Sequence, residues 1–238
     1  MLAVALVTDE LDCSVQTPGG YSFFTDPDNS VYWNTNPQAG NQPQPTSAIC
    51  FNAGVTCTDV DGDGIYEDGC AAQDNEVLQP LARYTSYFEY LEDQGKEVVM
   101  LAMTGVPQVV AHNPNPPYEP IAGGALDVVY RTWFDFPFPN GDILPDEWAM
   151  GTTADDKVYA FGALGPGCTA QDQLGDFTGQ ALPPVRIRDV CQSLDDVDPE
   201  TGAPNVRCCI ESICDQDSSP AFRCLTGIVA QALERSDP

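Results

Sequence analysis

The densest chemistry in this sequence lies in Asp59-Val60-Asp61-Gly62-Asp63-Gly64-Ile65-Tyr66-Glu67-Asp68. Calcium takes six to eight oxygen ligands. Acids at alternate positions of a tight loop point inward together, and Gly64 permits the sharp turn. The spacing predicts a Ca2+ site built from Asp59, Asp61, Asp63 and the Ile65 carbonyl, with Glu67 or Asp68 closing the shell. Its expected role is structural, because carboxylates this close repel one another without a cation. Cys57 and Cys70 bracket the loop and can hold it shut. The competing reading is a solvated acidic turn.

A second acidic group, Asp9, Glu10 and Asp12, follows the apolar run 2–7. In open α/β sheets, ligands bind at the carboxyl ends of strands. Three carboxylates there can hold a divalent cation, with Mg2+ at Asp9 as a weaker second site. On spacing alone, an acidic turn that ends a strand is favoured. The enzymatic alternative is metal-dependent hydrolysis of an ester or phosphoester. Asp9, Glu10 and Asp12, or the 59–68 loop, would hold the cation, which polarises the substrate and activates water. Arg83, Arg186 and Arg188 are candidates to bind such a substrate, although each reads first as an ion-pair residue. His112 is the one His in the chain, so any His general base must be this residue. It sits in a Pro/Asn-rich loop after the second strand, no GxSxG elbow accompanies it, and its first reading is an exposed loop His. No GxGxxG or P-loop is present. With 36 acids, no glycosidase-type carboxylate pair stands out.

The 238 residues include 36 Asp+Glu against 9 Lys+Arg, a formal charge of −27. That argues against nucleic acid and against anionic membrane surfaces, which need Lys and Arg to neutralise phosphate. Apolar residues make up 42% of the chain, enough for a core. No apolar run approaches the ~18 residues of a membrane span. The ten cysteines are irregularly spaced and form no paired CxxC motifs, which disfavours zinc. An even count in a loop-rich chain reads as about five disulfides in an oxidising compartment, secreted, periplasmic or cell-surface. Their connectivity stays open. The start MLAVALVTDE lacks the basic region of a signal peptide. A disulfide-rich chain without that signal leads to the expectation that an upstream part of a longer protein is missing.

These groups need elements to position them. LAVALV, residues 2–7, reads as a strand buried on both faces, of the kind found in parallel sheets. Residues 15–76 form an acidic, Cys-containing insertion, and no Lys or Arg precedes Arg83. Val77, Leu78, Leu81, Tyr84, Phe88 and Leu91 recur at helical spacing and predict a helix over 77–93. Residues 96–104 read as a second buried strand. Residues 106–165 form a second insertion, with shorter strands expected at 125–134 and 157–164. Its aromatics Trp133, Phe134, Phe136 and Phe138 are expected to cover a core edge. A helix over 184–195 presents Ile187, Val190, Cys191 and Leu194. Another over 220–234 presents Phe222, Leu225, Val229 and Leu233, with Ser219 as N-cap. The whole reads as a single domain over 1–238.

LAVALVTDELDCS resembles the fourth strand of von Willebrand factor A-type domains, in the cysteine-rich secreted version of myxobacteria and related bacteria. VVMLAMTGVP is similar to the fifth strand of that family. Gly167-Cys168-Thr169, residues 181–186 and Ser212-Ile213-Cys214 follow in the family's order. The matches cover roughly residues 1–14, 78–107 and 165–233. The resemblance implies a partial doubly wound, Rossmann-like sheet. It also implies a metal-ion-dependent adhesion site, of which Asp9 alone carries over. The DxSxS segment of that site is absent from this sequence, so the chain looks like the C-terminal half of such a domain. The 59–68 loop resembles the DxDxDG loops of EF-hands and thrombospondin type 3 repeats, the latter more closely. The resemblance implies a calcium-binding adhesion module whose partner is an unidentified protein or surface ligand. In the family fold, the strand of residues 2–7 lies beside the first strand. Without that neighbour it presents an apolar edge, through which two copies pair or over which residues 125–164 fold.

Overall fold

The computed structural model describes the chain except residues 17–20, 67–68, 75–76, 134–139, 149–150, 199–201 and 237–238. The fold is mixed α/β. Its centre is a three-stranded parallel sheet of β1 (Leu2–Val7), β2 (Val98–Thr104) and β3 (Cys208–Ser212), with β2 in the middle. Leu2 lies opposite Val98, and Cys208 lies opposite Met100. The principal helices are α1 (Ala82–Asp93), α2 (Ala154–Phe161), α3 (Val185–Gln192) and α4 (Ser219–Ser236).

The continuous apolar run of β2 is explained by cover on both faces. Val98, Met100 and Ala102 pack with Leu91 of α1, Cys191 of α3, and Leu2, Val4 and Leu6. Val99, Leu101 and Met103 pack with Ala221, Cys224, Ile228 and Ala232 of α4. Neighbouring residues of a strand point to opposite faces. The adjacent Cys208 and Cys209 use that geometry to anchor one helix on each side. Cys208 is bonded to Cys191 of α3, and Cys209 to Cys224 of α4. The other disulfides join Cys13 to Cys50, Cys57 to Cys70 and Cys168 to Cys214. Five disulfides fit an oxidising environment.

Several expectations need correction. β1 is not buried on both faces: Leu2, Val4 and Leu6 are half-buried, while Ala3, Ala5 and Val7 are exposed. It is an edge strand, and α4 lies over β2 and β3 rather than over it. The described residues of 125–164 do not supply the missing cover. Tyr130 and Leu164 instead join Ala48, Phe51, Leu182 and Val185 in a separate core. Residues 157–164 are not a strand. Thr153 and Asp156 form a capping box that starts α2, and left-handed Gly162 ends it. The described residues of 125–134 contribute a 3-10 turn, Gly124–Leu126, and isolated bridges at Arg131 and Thr132 rather than a strand. Trp133 is buried, and Phe134, Phe136 and Phe138 lie outside the described residues.

The last helix meets the sheet with part of its expected face: Leu225 and Val229 pack against the core beneath it. Phe222 and Leu233 are exposed, and the small residues Ala221, Cys224 and Ala232 meet the sheet. Ile228 is buried there with them. At Gly227 an added Cβ would fall 2.5 Å from the Pro117 carbonyl oxygen. Asp217, rather than Ser219, caps this helix, accepting the Ser219 N–H at 2.9 Å. β3 was not expected from the sequence, because Cys-Cys-Ile-Glu-Ser mixes polar residues into a short run. Its Ser212 hydroxyl donates to the Val106 carbonyl at 2.6 Å, which satisfies it in the interior.

Candidate metal site

The short helix Ile49–Gly54 and the hairpin of Val55–Cys57 with Cys70–Ala72 position the 59–68 loop. The Cys57–Cys70 disulfide closes the base of the loop. Inside it, Asx turns impose the curvature. The two Asp59 carboxylate oxygens accept the N–H of Gly62 at 2.6 Å and of Gly64 at 2.9 Å. The Asp61 carboxylate accepts the Asp63 N–H at 3.2 Å, and Asp63 accepts the Ile65 N–H at 2.8 Å. Gly62 and Gly64 have φ of 82° and 86°. At Gly64 a side chain is doubly excluded, because a Cβ would also fall 2.3 Å from the Thr132 hydroxyl.

This curvature draws one oxygen each of Asp59, Asp61 and Asp63 to within 4.8 Å of one another. The three carboxylates are exposed, and no other such group of acids, Cys or His exists among the described residues. The loop is docked on the body rather than free. Thr132 N–H donates to the Gly64 carbonyl at 2.9 Å, and Tyr66 N–H donates to the Tyr130 carbonyl at 3.0 Å. Ile65 lies between these bonds, opposite Arg131. Its own N–H and C=O therefore point away from the partner segment. The N–H faces Asp63, and in extended backbone the carbonyl points to the same side. Burial lowers the Arg131 pKa, and the Asp63 charge partly opposes it. Burial raises the Tyr66 pKa, and the Asp59 charge adds to the rise. Glu67 and Asp68 lie outside the described residues. Four of the expected donors, Asp59, Asp61, Asp63 and the Ile65 carbonyl, can serve a hard cation here.

The other candidate residues have different surroundings. Asp9 and Glu10 are exposed just past β1. The Asp9 carbonyl accepts the Leu182 N–H at 2.9 Å. Asp12 is turned away to Arg186, 2.9 Å distant, and also accepts the Ser14 N–H. Arg186 is buried and further donates to the carbonyls of Gln73 and Gln79. Arg188 donates to Asp189, to the Tyr130 hydroxyl and to the Cys70 carbonyl. Both guanidiniums therefore hold loops together. Arg83 is exposed.

His112 is not an exposed loop residue: it is half-buried at the end of the strand Val109–His112, with its Nε2 3.0 Å from Glu211 of β3. Glu211 is 2% exposed. Burial raises its pKa, and His112 opposes the rise. The two residues are 99 apart in sequence, so no spacing signal could have paired them. Sequence reasoning also missed Lys157, which is buried against Asp142.

An apolar groove of about 430 Å³ runs beside the edge strand, lined by Val4, Leu6, Leu11, Tyr84, Phe88 and Ile187 among others. Among the described residues, no helix is long and apolar enough to cross a membrane. No family model, curated protein or solved structure matches the chain.

Proposed function

We propose that this chain is a calcium-stabilised, disulfide-rich binding or adhesion module of the secreted or cell-surface kind. One observation carries the reading: three carboxylates, brought together by Asx turns, converge on a loop whose base a disulfide closes. Bound Ca2+ would neutralise them and tie the 59–68 loop into the body through the Gly64–Thr132 contact. The proposal includes the likeness to the C-terminal half of a von Willebrand factor A-type domain. Consecutive parallel strands β1, β2 and β3 with helices on both faces support a partial doubly wound arrangement. Metal-dependent hydrolysis at Asp9, Glu10 and Asp12 has less support, since Asp12 is taken by Arg186. The uncovered edge of β1 is the surface proposed for pairing with a second copy.

The test is a calorimetric Ca2+ titration of the oxidised chain, with thermal melts in Ca2+ and in chelator. Saturable binding that raises the melting temperature, and that is lost in Asp61→Asn/Asp63→Asn, is the expected result. No heat and superimposed melts would overturn the reading.

A further inference from the structure

The structure also joins two buried reactive groups that the calcium reading does not use. The Lys157 Nζ of α2 lies 2.5 Å from Oδ1 of Asp142, and the two side chains are 1% and 0% exposed. Around them the surroundings are aromatic. Nζ is 4.3 Å from the ring centre of Trp148, 5.5 Å from Phe161 and 5.6 Å from Trp133. Gln180 spans the pair: its Oε1 accepts from Nζ at 2.7 Å, and its Nε2 donates to Oδ1 at 2.6 Å. The Trp133 indole N–H donates to the other oxygen, Oδ2.

We propose that Lys157 and Asp142 condense in the folded chain to an intramolecular isopeptide bond. Transfer of a proton from Nζ to Oδ1 across their 2.5 Å contact leaves an amine facing a carboxylic acid. Burial lowers the Lys157 pKa, although Asp142 and Glu147 oppose it, which favours the nucleophilic free amine. Nζ attacks Cγ, and the Nζ–Cγ bond forms. Negative charge develops on Oδ2, where the Trp133 N–H already points. The Cγ–Oδ1 bond then breaks. Oδ1 leaves as water, carrying the carboxyl proton and one amine proton, with Gln180 bridging the amine and the departing oxygen. The step consumes an amine and an acid and releases one water, with no oxidant or reductant. The dry aromatic surround disfavours the reverse hydrolysis. The bond would staple α2 to the loop at Asp142, between Cys70 and Cys168, where the chain has no cysteine.

Mass spectrometry of the full folded chain tests this, after its disulfides are reduced and alkylated. The expected intact mass is one water below that of the sequence. Trypsin cannot cut after an acylated lysine, so residues 132–186 should emerge as one internally looped peptide. Its fragment ions should place the missing water across Asp142 and Lys157. In Asp142→Ala, full mass and cleavage after Lys157 should return. A wild-type chain of full sequence mass that is cleaved after Lys157 overturns the proposal. So does a missing water that maps to Asp61, Asp63 or Asp68, each followed by glycine, where it reports a succinimide. The wild-type measurement decides the matter even if the variant fails to fold, and it is independent of calcium.

Discussion

The Arg186 guanidinium holds Asp12, 2.9 Å away, at the carboxyl end of the edge strand, and the arginine side chain is only 3% exposed. From that position it also reaches the carbonyls of Gln73 and Gln79 in the acidic insertion. One cation on α3 therefore fastens both the segment after β1 and the insertion to the sheet. Replacing it with Met leaves a carboxylate and carbonyls without their partner. Breaking a buried pair from one side costs about 3–5 kcal/mol. Arg186→Met is expected to lose stability on this scale in chemical denaturation, and Asp12→Asn, at the more exposed end, distinctly less. Equal and small losses would refute this role for Arg186.

The calcium loop predicts a dissection of ligand and frame. Asp63→Asn removes a charge without altering shape, so Ca2+ affinity should fall while the melt in chelator stays at the wild-type value. Gly64→Ala should be worse in both conditions, because the left-handed φ of 86° and Thr132 exclude a Cβ. For the wild type, Ca2+ at a hundredfold its dissociation constant should add about 2.7 kcal/mol. Cys57→Ser/Cys70→Ser frees the base of the loop and should weaken Ca2+ binding. Unchanged affinity in that pair would mean that the disulfide does not organise the site.

Buried acids set the expected pH dependence. Burial raises the pKa values of Glu211, Asp195 and Asp215 above their ordinary values. Groups raised on folding contribute stability that is fully present below their unfolded pKa and is lost as pH rises through the folded one. The unfolded value is about 4, so the melting temperature should fall as pH rises from about 4 toward neutrality. The −27 charge acts in the same direction through self-repulsion. Hydrogen bonds from Thr153 and Ser219 hold the exposed Asp156 and Asp217 low, so these oppose the trend only at more acid pH. Glu211→Gln keeps an acceptor for His112 and should flatten part of the slope at constant ionic strength. An unaltered slope would remove Glu211 from this account.

What the sequence made legible was governed by local rules. β2 was readable because six consecutive apolar residues, 98–103, need cover on both faces, and they have it. The Asp59, Asp61 and Asp63 convergence was readable because Asx turns and glycines act within a few residues. β3 was hidden because its buried Glu211 and Ser212 are satisfied by His112 and Val106, far away in the chain. The face of α4 was legible in part: Leu225 and Val229 pack on the sheet side as their spacing suggests, but the centre of the contact is Ala221, Cys224, Ile228 and Ala232. Gly227 marks a separate constraint, since a Cβ there would strike the Pro117 backbone. The Lys157–Asp142 pair was hidden because burial of a lysine is unusual without such an acid beside it.

The proposed pairing of two copies has a definite register. Leu2 N–H donates to the Glu97 carbonyl and Thr8 N–H to the Met103 carbonyl, so the even-numbered residues of β1 use their backbone groups inward. Ala3, Ala5 and Val7 therefore present theirs at the open edge. Residues 2–6 read Leu-Ala-Val-Ala-Leu in either direction. An antiparallel partner centred on Val4 sets Ala3 against Ala5 as hydrogen-bonded pairs. It sets Leu2 against Leu6, and Val4 against Val4, at the closer non-hydrogen-bonded positions. The large side chains then share one face with both apolar grooves. Residues 1–8 carry no charged side chain, so this is a surface where two strongly acidic molecules can meet without opposing carboxylates. Light scattering after size exclusion should show a dimer that salt strengthens by screening the remaining repulsion. Ala5→Pro removes an edge N–H without touching the bonds to β2, and it should give a monomer with a near-native melt. Hydrogen exchange should find the amides of Ala3 and Ala5 protected in the wild type and open in the variant. A wild-type monomer with fast exchange at both amides would rule the pairing out.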